Sequence, residues 1–333
     1  MNVLFRCDAS EELGLGHISR CITLARRLQN ENGYNIFFAI KKNNIATKIL
    51  KNVFSYYEFD ESDIKYESWL ISLLVNLKIN RFILDVRNDI NKDFLIKIKR
   101  NLKLKVFTID DSEEKRIYTD VALYPPVVQL QNMNWSNYKG KLKIGWEYVI
   151  VKNEFLQSYP KKNNLKTTIL VSMGGTDPLN MIHFILSSLI YFHIDFKLLI
   201  ILGPGYKRTK SINKLLNKSK LDFELYTNPS NFSDIASTVD FAIISFGQTA
   251  YELLALNIPS LYLCLTTDHH KSSEVFSTNN FGISAGVYSN QNESNFIKNF
   301  NKILENYDQM RQSITDSKVS KKFRSKSLIN LFK

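Results

Sequence analysis

Short, nearly continuous apolar runs alternate along this chain with longer stretches whose apolar residues recur at helical spacing. The first run covers residues 3–6, and after a polar loop Ile18, Cys21, Ile22, Ala25 and Leu28 mark one face of a helix. Further strands are predicted at 35–40, 81–85 and 105–109, with helices over 67–78 and 91–99 between them. The alternation starts afresh at 168–172 and continues with strands at 197–202, 223–226, 241–245 and 260–265 and a helix over 248–256. Apolar strands separated by helices form parallel sheets covered on both faces. The predicted fold is therefore α/β, with two doubly wound, Rossmann-like lobes.

The boundary is placed at Lys161-Lys162-Asn163-Asn164, a polar segment that follows Pro160 and precedes the new strand. This gives a first lobe over 1–160, a second over 161–310 and a closing helix over 311–333, with a cleft between the lobes. A length of 333 residues suits two such cores. Ligands of doubly wound sheets sit outside the carboxyl ends of the strands, so the strand-end loops are where chemistry is expected.

Composition narrows the class. Hydrophobic residues at 44% and charged residues at 23% fit a globular protein and exclude wholesale disorder. No apolar run approaches the roughly 18 residues that span a bilayer, and the start reads as a strand, not a signal peptide, so a cytoplasmic location is expected. Cys7, Cys21 and Cys264 are too scattered for a disulfide framework or a zinc site and are expected as reduced, buried thiols.

The net charge of +12 admits nucleic acid, an anionic membrane surface or a phosphorylated substrate as partners. Most lysines are spread beside asparagines, as in Lys41-Lys42-Asn43-Asn44, which reads as solvated surface and gives no nucleic-acid partner. The densest basic cluster is Lys318, Lys321, Lys322, Arg324 and Lys326, near Phe323, Leu328, Ile329, Leu331 and Phe332. A closing helix packed on the body is the preferred reading, and a weak membrane-surface contact is the other. The chain is read as a monomer.

The first strand-end loop, Asp8 to His17, carries Gly14 and Gly16 just before a helix, where unpaired N–H groups and the helix dipole attract anions. It lacks the Gly-Lys-Ser/Thr of a Walker loop and the third glycine of a dinucleotide fingerprint. His17, opening the helix at a strand end, is the candidate general base, against the blander reading of a capping or packing histidine. Asp8 and Ser10 are open between capping the loop and touching ligand, and Arg20 between an anion contact and a surface ion pair.

In the second half, Gly174, Gly175 and Thr176 end the opening strand, where paired glycines let a diphosphate approach the backbone. Gly203-Pro204-Gly205 reads more as a turn. Gly247, Gln248, Thr249 and Glu252 lead another strand into a helix, offering N–H donors and a hydroxyl for phosphate and a carboxylate for ribose hydroxyls. A capping box from Thr249 to Glu252 is the alternative. His269 and His270 are neighbours that diverge on a helix and read as polar cleft lining, not a metal site.

Together these segments resemble the PseG/SpsG family of nucleotide-sugar enzymes, relatives of the MurG glycosyltransferases. The resemblance is carried by Arg6-Cys7-Asp8-Ala9-Ser10, Gly14-Leu15-Gly16-His17-Ile18-Ser19-Arg20-Cys21, Ile109-Asp110-Asp111, Tyr148-Val149-Ile150, Met173-Gly174-Gly175-Thr176-Asp177 and Ser245 to Glu252. It implies the GT-B architecture and hydrolysis of a UDP-linked diacetamido sugar on the way to pseudaminic acid or a related surface glycan. His17 would then activate water for inverting attack at the anomeric carbon, with no cofactor and no metal. An inverting glycosyltransferase with an alcohol acceptor is the alternative. Where the family carries Asp-His-Tyr after a strand, this chain has Asp85-Val86-Arg87, and Arg87 suits a substrate carboxylate or phosphate. Gly14, Gly16, Arg20, Asp85 and Arg87 are accordingly the expected sugar-side residues.

Overall fold

The computed structural model describes residues 1–9, 14–60, 65–87, 89–160, 164–192, 195–289 and 293–333. Met1–Pro126, Leu130–Ile150 and Ser325–Lys333 make one compact unit, and Val127–Gln129 with Val151–Arg324 make a second.

The first unit runs β1 (Asn2–Cys7), α1 (Gly16–Asn32), β2 (Asn35–Lys41), α2 (Asn44–Leu50), β3 (Ser55–Phe59), α3 (Tyr66–Asn76), β4 (Arg81–Asp85), α4 (Lys92–Asn101), β5 (Lys105–Ile109), β6 (Val121–Tyr124) and β7 (Lys141–Ile144). Its seven-stranded sheet has the order β3-β2-β1-β4-β5-β6-β7, with every neighbouring pair parallel. Alternate residues feed the two faces. Val3, Phe5 and Cys7 pack with the α1 face of Ile18, Cys21, Ile22, Ala25 and Leu28, while Leu4, Phe82 and Leu84 pack against Leu70, Leu74 and Leu95. Gly33, at φ 67°, closes α1 by sending its N–H back to Gln29 O and Leu28 O, a left-handed turn that side chains disfavour.

The second unit contains β8 (Thr167–Ser172), α5 (Met181–Leu189), β9 (Phe196–Leu202), α6 (Thr209–Leu216), β10 (Asp222–Thr227), α7 (Phe232–Ala236), β11 (Phe241–Ile244), α8 (Gln248–Ala255), β12 (Ser260–Cys264), α9 (Thr267–Thr278), β13 (Gly282–Val287), α10 (Glu293–Ser317) and α11 (Val319–Phe323). The six strands are ordered β10-β9-β8-β11-β12-β13, again all parallel. A last short helix, α12 (Ser327–Asn330), belongs to the first unit. In each sheet the chain winds outward, then returns to the other side of its first strand. The order thus reverses between β1 and β4 and between β8 and β11, the places where such sheets open a crevice.

Two expected boundaries shift. The units divide after Ile150, not at 160, because Val151 and Phe155 are buried and the Phe155 ring lies 5.7 Å from that of Phe232 in the second unit. The polar residues 161–163 that suggested a linker lie outside the described residues. No separate helix begins at 311: α10 runs unbroken through it from Glu293 to Ser317, since Met310 and Ile314 continue its buried stripe. The apolar residues of the basic terminal segment, Phe323, Leu328, Ile329 and Phe332, are buried, so they pack on the body and present no apolar face to a membrane. Among the described residues, no helix is long and apolar enough to cross one. All three cysteines are free and buried.

The chain end is anchored by Phe332, whose ring stacks on Phe107 at 4.4 Å while its carbonyl accepts from Tyr34 OH at 3.0 Å and Arg81 Nε at 3.2 Å. Phe332→Ala empties that slot and should cost about 3–5 kcal/mol of unfolding free energy, read by urea denaturation. A loss below about 1 kcal/mol would show that the terminal segment is dispensable to the first core.

Candidate functional site

In the first unit, β1 and β4 end side by side, with Cys7 in register with Asp85. The loop after β1 returns as α1, whose first turns carry His17, Arg20 and Cys21 on one face, as the three- and four-residue spacing dictates. All three meet Asp85. His17 Nδ1 lies 2.6 Å from Asp85 Oδ1, Arg20 donates from Nη2 to Oδ1 and from Nε to Oδ2 at 2.6 Å each, and Cys21 Sγ donates to Oδ2 at 3.4 Å. Asp85 is 2% exposed.

Burial by itself would raise the Asp85 carboxyl, but the Arg20 guanidinium and His17 outweigh it and hold the group far below the usual carboxylate range. An ionised Asp85 only accepts, so the proton on His17 sits on Nδ1 and donates to it, leaving Nε2 as the basic nitrogen. Arg20 Nη2 is also 3.3 Å from His17 Nδ1, but two donors do not bond, and the carboxylate is the acceptor they share.

Asp85 and Arg20 thus bond each other; for Arg20 this is the ion-pair alternative, made to a buried carboxylate and not at the surface. Asp85 is buried behind His17 and cannot face a substrate directly. Arg20 is committed to Asp85, with Nη1 reaching Asp110 Oδ2 at 3.4 Å. Arg87 is exposed two residues beyond Asp85, and Gly14, at φ 73°, and Gly16 lie half-buried just ahead of His17. Ser10 lies outside the described residues. Asp8 is gripped by Arg6 through bonds of 2.6 and 2.7 Å and accepts the Lys41 N–H at 2.8 Å.

Arg6 and Asp110 were not singled out as site residues. The signal for Arg6 was a cation inside an otherwise apolar strand; for Asp110 it was a carboxylate at the end of β5, where φ is 53°. Neither signal says which partner the side chain meets.

In the second unit, the loops after β8 and β11 lie together, because those strands pair. Gly174 has φ 74°, and a Cβ there would make an ordinary contact of 3.7 Å with Ser245 Oγ. Gly203 has the structural role expected of a turn, and a strict one: a Cβ would fall 2.2 Å from Gly174 O and 2.5 Å from Gly175 O. Gly205 then donates its N–H to Gly175 O at 2.8 Å.

The two helices that start at this crevice differ in their first turns. The α5 amides of Met181 and Ile182 are taken by the Asp177 carboxylate at 2.8 and 3.0 Å. The α8 terminus begins at Gly247 with no side-chain cap, so the capping box between Thr249 and Glu252 is not formed. Gly247, Gln248 and Thr249 are half-buried there, and nothing lies within 4 Å of where a Gly247 Cβ would be.

Glu252, one turn into α8, is 3% exposed; burial pushes its carboxyl up, and Lys152 opposes the shift from 3.5 Å. Among the described residues its Oε1 accepts no hydrogen bond beyond that ion pair with Lys152. His269 and His270 sit at the start of α9, where Thr266 caps the His269 N–H at 3.1 Å and His270 Nδ1 lies 2.9 Å from Ser284 Oγ.

Two helix-covered parallel sheets with these crevices define the GT-B glycosyltransferase fold. The chain superposes on Acinetobacter baumannii MurG with a TM-score of 0.69 at 12% identity, covering 99% of this chain and 97% of that one. On the spinosyn rhamnosyltransferase SpnG, complexed with thymidine diphosphate, the TM-score is 0.62 at 11% identity, covering 97% and 96%. No family model matches the chain.

Within that fold, the chain is a distant relative of the PseG/SpsG proteins. It is 25% identical over 279 residues to the UDP-2,4-diacetamido-2,4,6-trideoxy-β-L-altropyranose hydrolase of Campylobacter jejuni, covering 82% of this chain and 95% of that one. Spore coat polysaccharide biosynthesis protein SpsG of Bacillus subtilis is 18% identical over 313 residues, covering 92% and 90%. An uncharacterised protein of Methanocaldococcus jannaschii is 29% identical over 275 residues, 79% of this chain but 55% of that protein's length.

Asp85 also makes an acid-stability prediction. Its folded pKa is depressed, so its contribution to stability is complete above the ordinary carboxylate range near pH 4 and is lost as pH falls below it. Asp85→Asn should flatten that part of the pH dependence of unfolding free energy; an acid limb identical to the wild type's would show that the buried pair does not drive it.

Proposed function

We propose that the protein cleaves the anomeric C–O bond of a UDP-linked amino sugar, with His17 as general base and water as nucleophile. The observation that carries this reading is the 2.6 Å contact between His17 Nδ1 and a buried, ionised Asp85 at the switch point of a doubly wound sheet. A carboxylate on Nδ1 leaves Nε2 to take a proton and stabilises the imidazolium that results. Water loses its proton to Nε2 as its oxygen bonds to the anomeric carbon, and the bonding pair of the breaking C–O bond leaves with the diphosphate.

The departing anion needs hydrogen-bond donors. The start of α8 at Gly247, the Thr249 hydroxyl and the backbone at Gly174, Gly175 and Thr176 are the groups proposed to supply them, whereas the α5 amides are spent on Asp177. Buried Glu252, one turn along, suits the ribose hydroxyls: two O–H donors would satisfy its Oε1 and displace Lys152. Gly14, Gly16 and Arg87 are the groups proposed to meet the sugar. The names of the Campylobacter hydrolase and the Bacillus spore coat polysaccharide protein support nucleotide-sugar processing in surface-glycan synthesis; pseudaminic acid or a related sugar is the proposed end product.

Incubating the protein with UDP-sugars and no acceptor should release UDP and free sugar, with the anomeric configuration inverted by NMR. Release of UDP only when an alcohol acceptor is added would replace hydrolysis by glycosyl transfer. His17→Ala should slow turnover by about 10²–10⁴-fold, the usual scale for a general base. An unchanged rate would remove His17 from the chemistry.

Gly203→Ala tests the nucleotide side. The added methyl must displace the Gly174 and Gly175 carbonyls, so UDP affinity measured by calorimetry should fall at least about tenfold, while the pH dependence of His17 chemistry stays as it was. Unaltered UDP binding would place the nucleotide elsewhere.

A further inference from the structure

Asp110 and Asp111 follow β5, the strand next to β4, and their carboxylates go opposite ways. Asp111 turns inward and is 3% exposed. Its Oδ1 accepts the Glu113 N–H at 2.8 Å and its carbonyl accepts Tyr124 OH at 2.5 Å, while the buried Lys115 Nζ lies 3.5 Å from its Oδ2. Arg116 ties the turn that follows by donating to Ser112 O at 3.3 Å, Glu113 O at 2.7 Å and Asn134 O at 2.8 Å. Its guanidinium lies 4.9 Å from the Trp135 ring centre.

Asp110 turns outward. Its N–H is bonded to Leu123 O at 2.8 Å, and its side chain, 33% exposed, accepts from Arg20 Nη1 through Oδ2 at 3.4 Å. Among the described residues its Oδ1 accepts no hydrogen bond. Arg20 does not require this partner, because Asp85 already matches its charge through two bonds of 2.6 Å. A solvent-facing acceptor is thereby held beside the His17 cluster, on a turn fixed by buried bonds.

We propose that Asp110 is a specificity-determining residue whose carboxylate accepts an O–H or an amide N–H of the sugar. This deepens the nucleotide-sugar reading and rests on it. An ionised carboxylate accepts and does not donate, so it selects ring substituents that have a proton to give, hydroxyl or acetamido, over ether and ester oxygens. A turn fixed beforehand loses no conformational entropy when the ligand arrives, so the contact counts in full toward selectivity.

The test compares wild type, Asp110→Gly and Asp110→Asn. It measures the Kd of UDP, the Kd, KM and kcat for UDP-2,4-diacetamido-2,4,6-trideoxy-β-L-altropyranose and for UDP-N-acetylglucosamine, and the Tm. Asp110 has φ 53°, a left-handed conformation that glycine and asparagine adopt readily, so neither replacement should lower the Tm. Asp110→Gly should raise Kd and KM for the sugar nucleotide about 10–100-fold, the range for a hydrogen bond to a charged group. Its kcat should be little altered, as when binding common to ground and transition states is removed. Asp110→Asn keeps a carbonyl acceptor without the charge and should lose less. UDP alone should bind as before.

A fall in kcat with KM unchanged would assign Asp110 to the support of Arg20 and overturn the sugar contact. Unchanged Kd and KM in Asp110→Gly would overturn it too, as would a wild type that holds both sugar nucleotides no more tightly than UDP. Each of these results leaves the functional reading standing. Should the wild type bind neither sugar nucleotide and no UDP, the functional reading falls and the role of Asp110 falls with it.

Discussion

A carboxylate buried at the end of β4 is the constraint around which the first unit is organised. Moving an ion such as Asp85 out of water is costly unless it is paired and its lone pairs are used. Arg20 supplies both a counter-charge and two hydrogen bonds, and His17 supplies the next. All of these donors come from one helix face, so the register of α1 against β4 is fixed by polar bonds as well as by Ile18, Cys21 and Ile22 in the core beneath. Sliding α1 by one residue would swing the imidazole away and leave a charge unpaired. The placement of His17 and the packing of the sheet are therefore a single requirement.

The second unit repeats the topology with different chemistry at the same place. Its crevice residues are mostly small: Gly174 and Gly175 after β8, Gly203 and Gly205 after β9, and Gly247 after β11. The Gly203 position is dictated by backbone contact with Gly174 and Gly175, which is a packing reason for a glycine that need not touch ligand. Gly247 has open space instead, and as the N-cap of α8 it brings no side chain to the helix start. The neighbouring start of α5 differs, since the Asp177 carboxylate takes two of its amides.

Much of this was legible in the residue pattern. Apolar runs locate β1, β2, β4, β5 and most strands of the second sheet because strands buried on both faces can carry little else. Edge strand β3, with Ser55, Tyr57 and Glu58 exposed, and β13, with its two glycines, lack that mark and escape it. The strand-end loops pointed to His17 and to the glycines, since the topology alone says where ligands bind. What the pattern does not hold is partnership. Asp85 and Arg20 read as sugar and anion ligands, and only the β1–β4 pairing shows that they meet each other. The division of the chain escaped for a related reason: residues 149–151 are apolar and buried, so the crossing carries no polar signature.

The spent charge of Arg20 also bears on the proposed role of His17 as base. A guanidinium left open beside His17 would attract phosphate, but it would disfavour the imidazolium that a general base must become. Neutralised by Asp85, it shares with the His17 imidazole a carboxylate that suits the proposed proton acceptor. Binding a diphosphate then falls to groups that donate without carrying a full positive charge, and backbone amides at a helix start are such groups. Proton transfer and anion binding make opposite electrostatic demands, and a fold with two switch points can satisfy each at its own sheet.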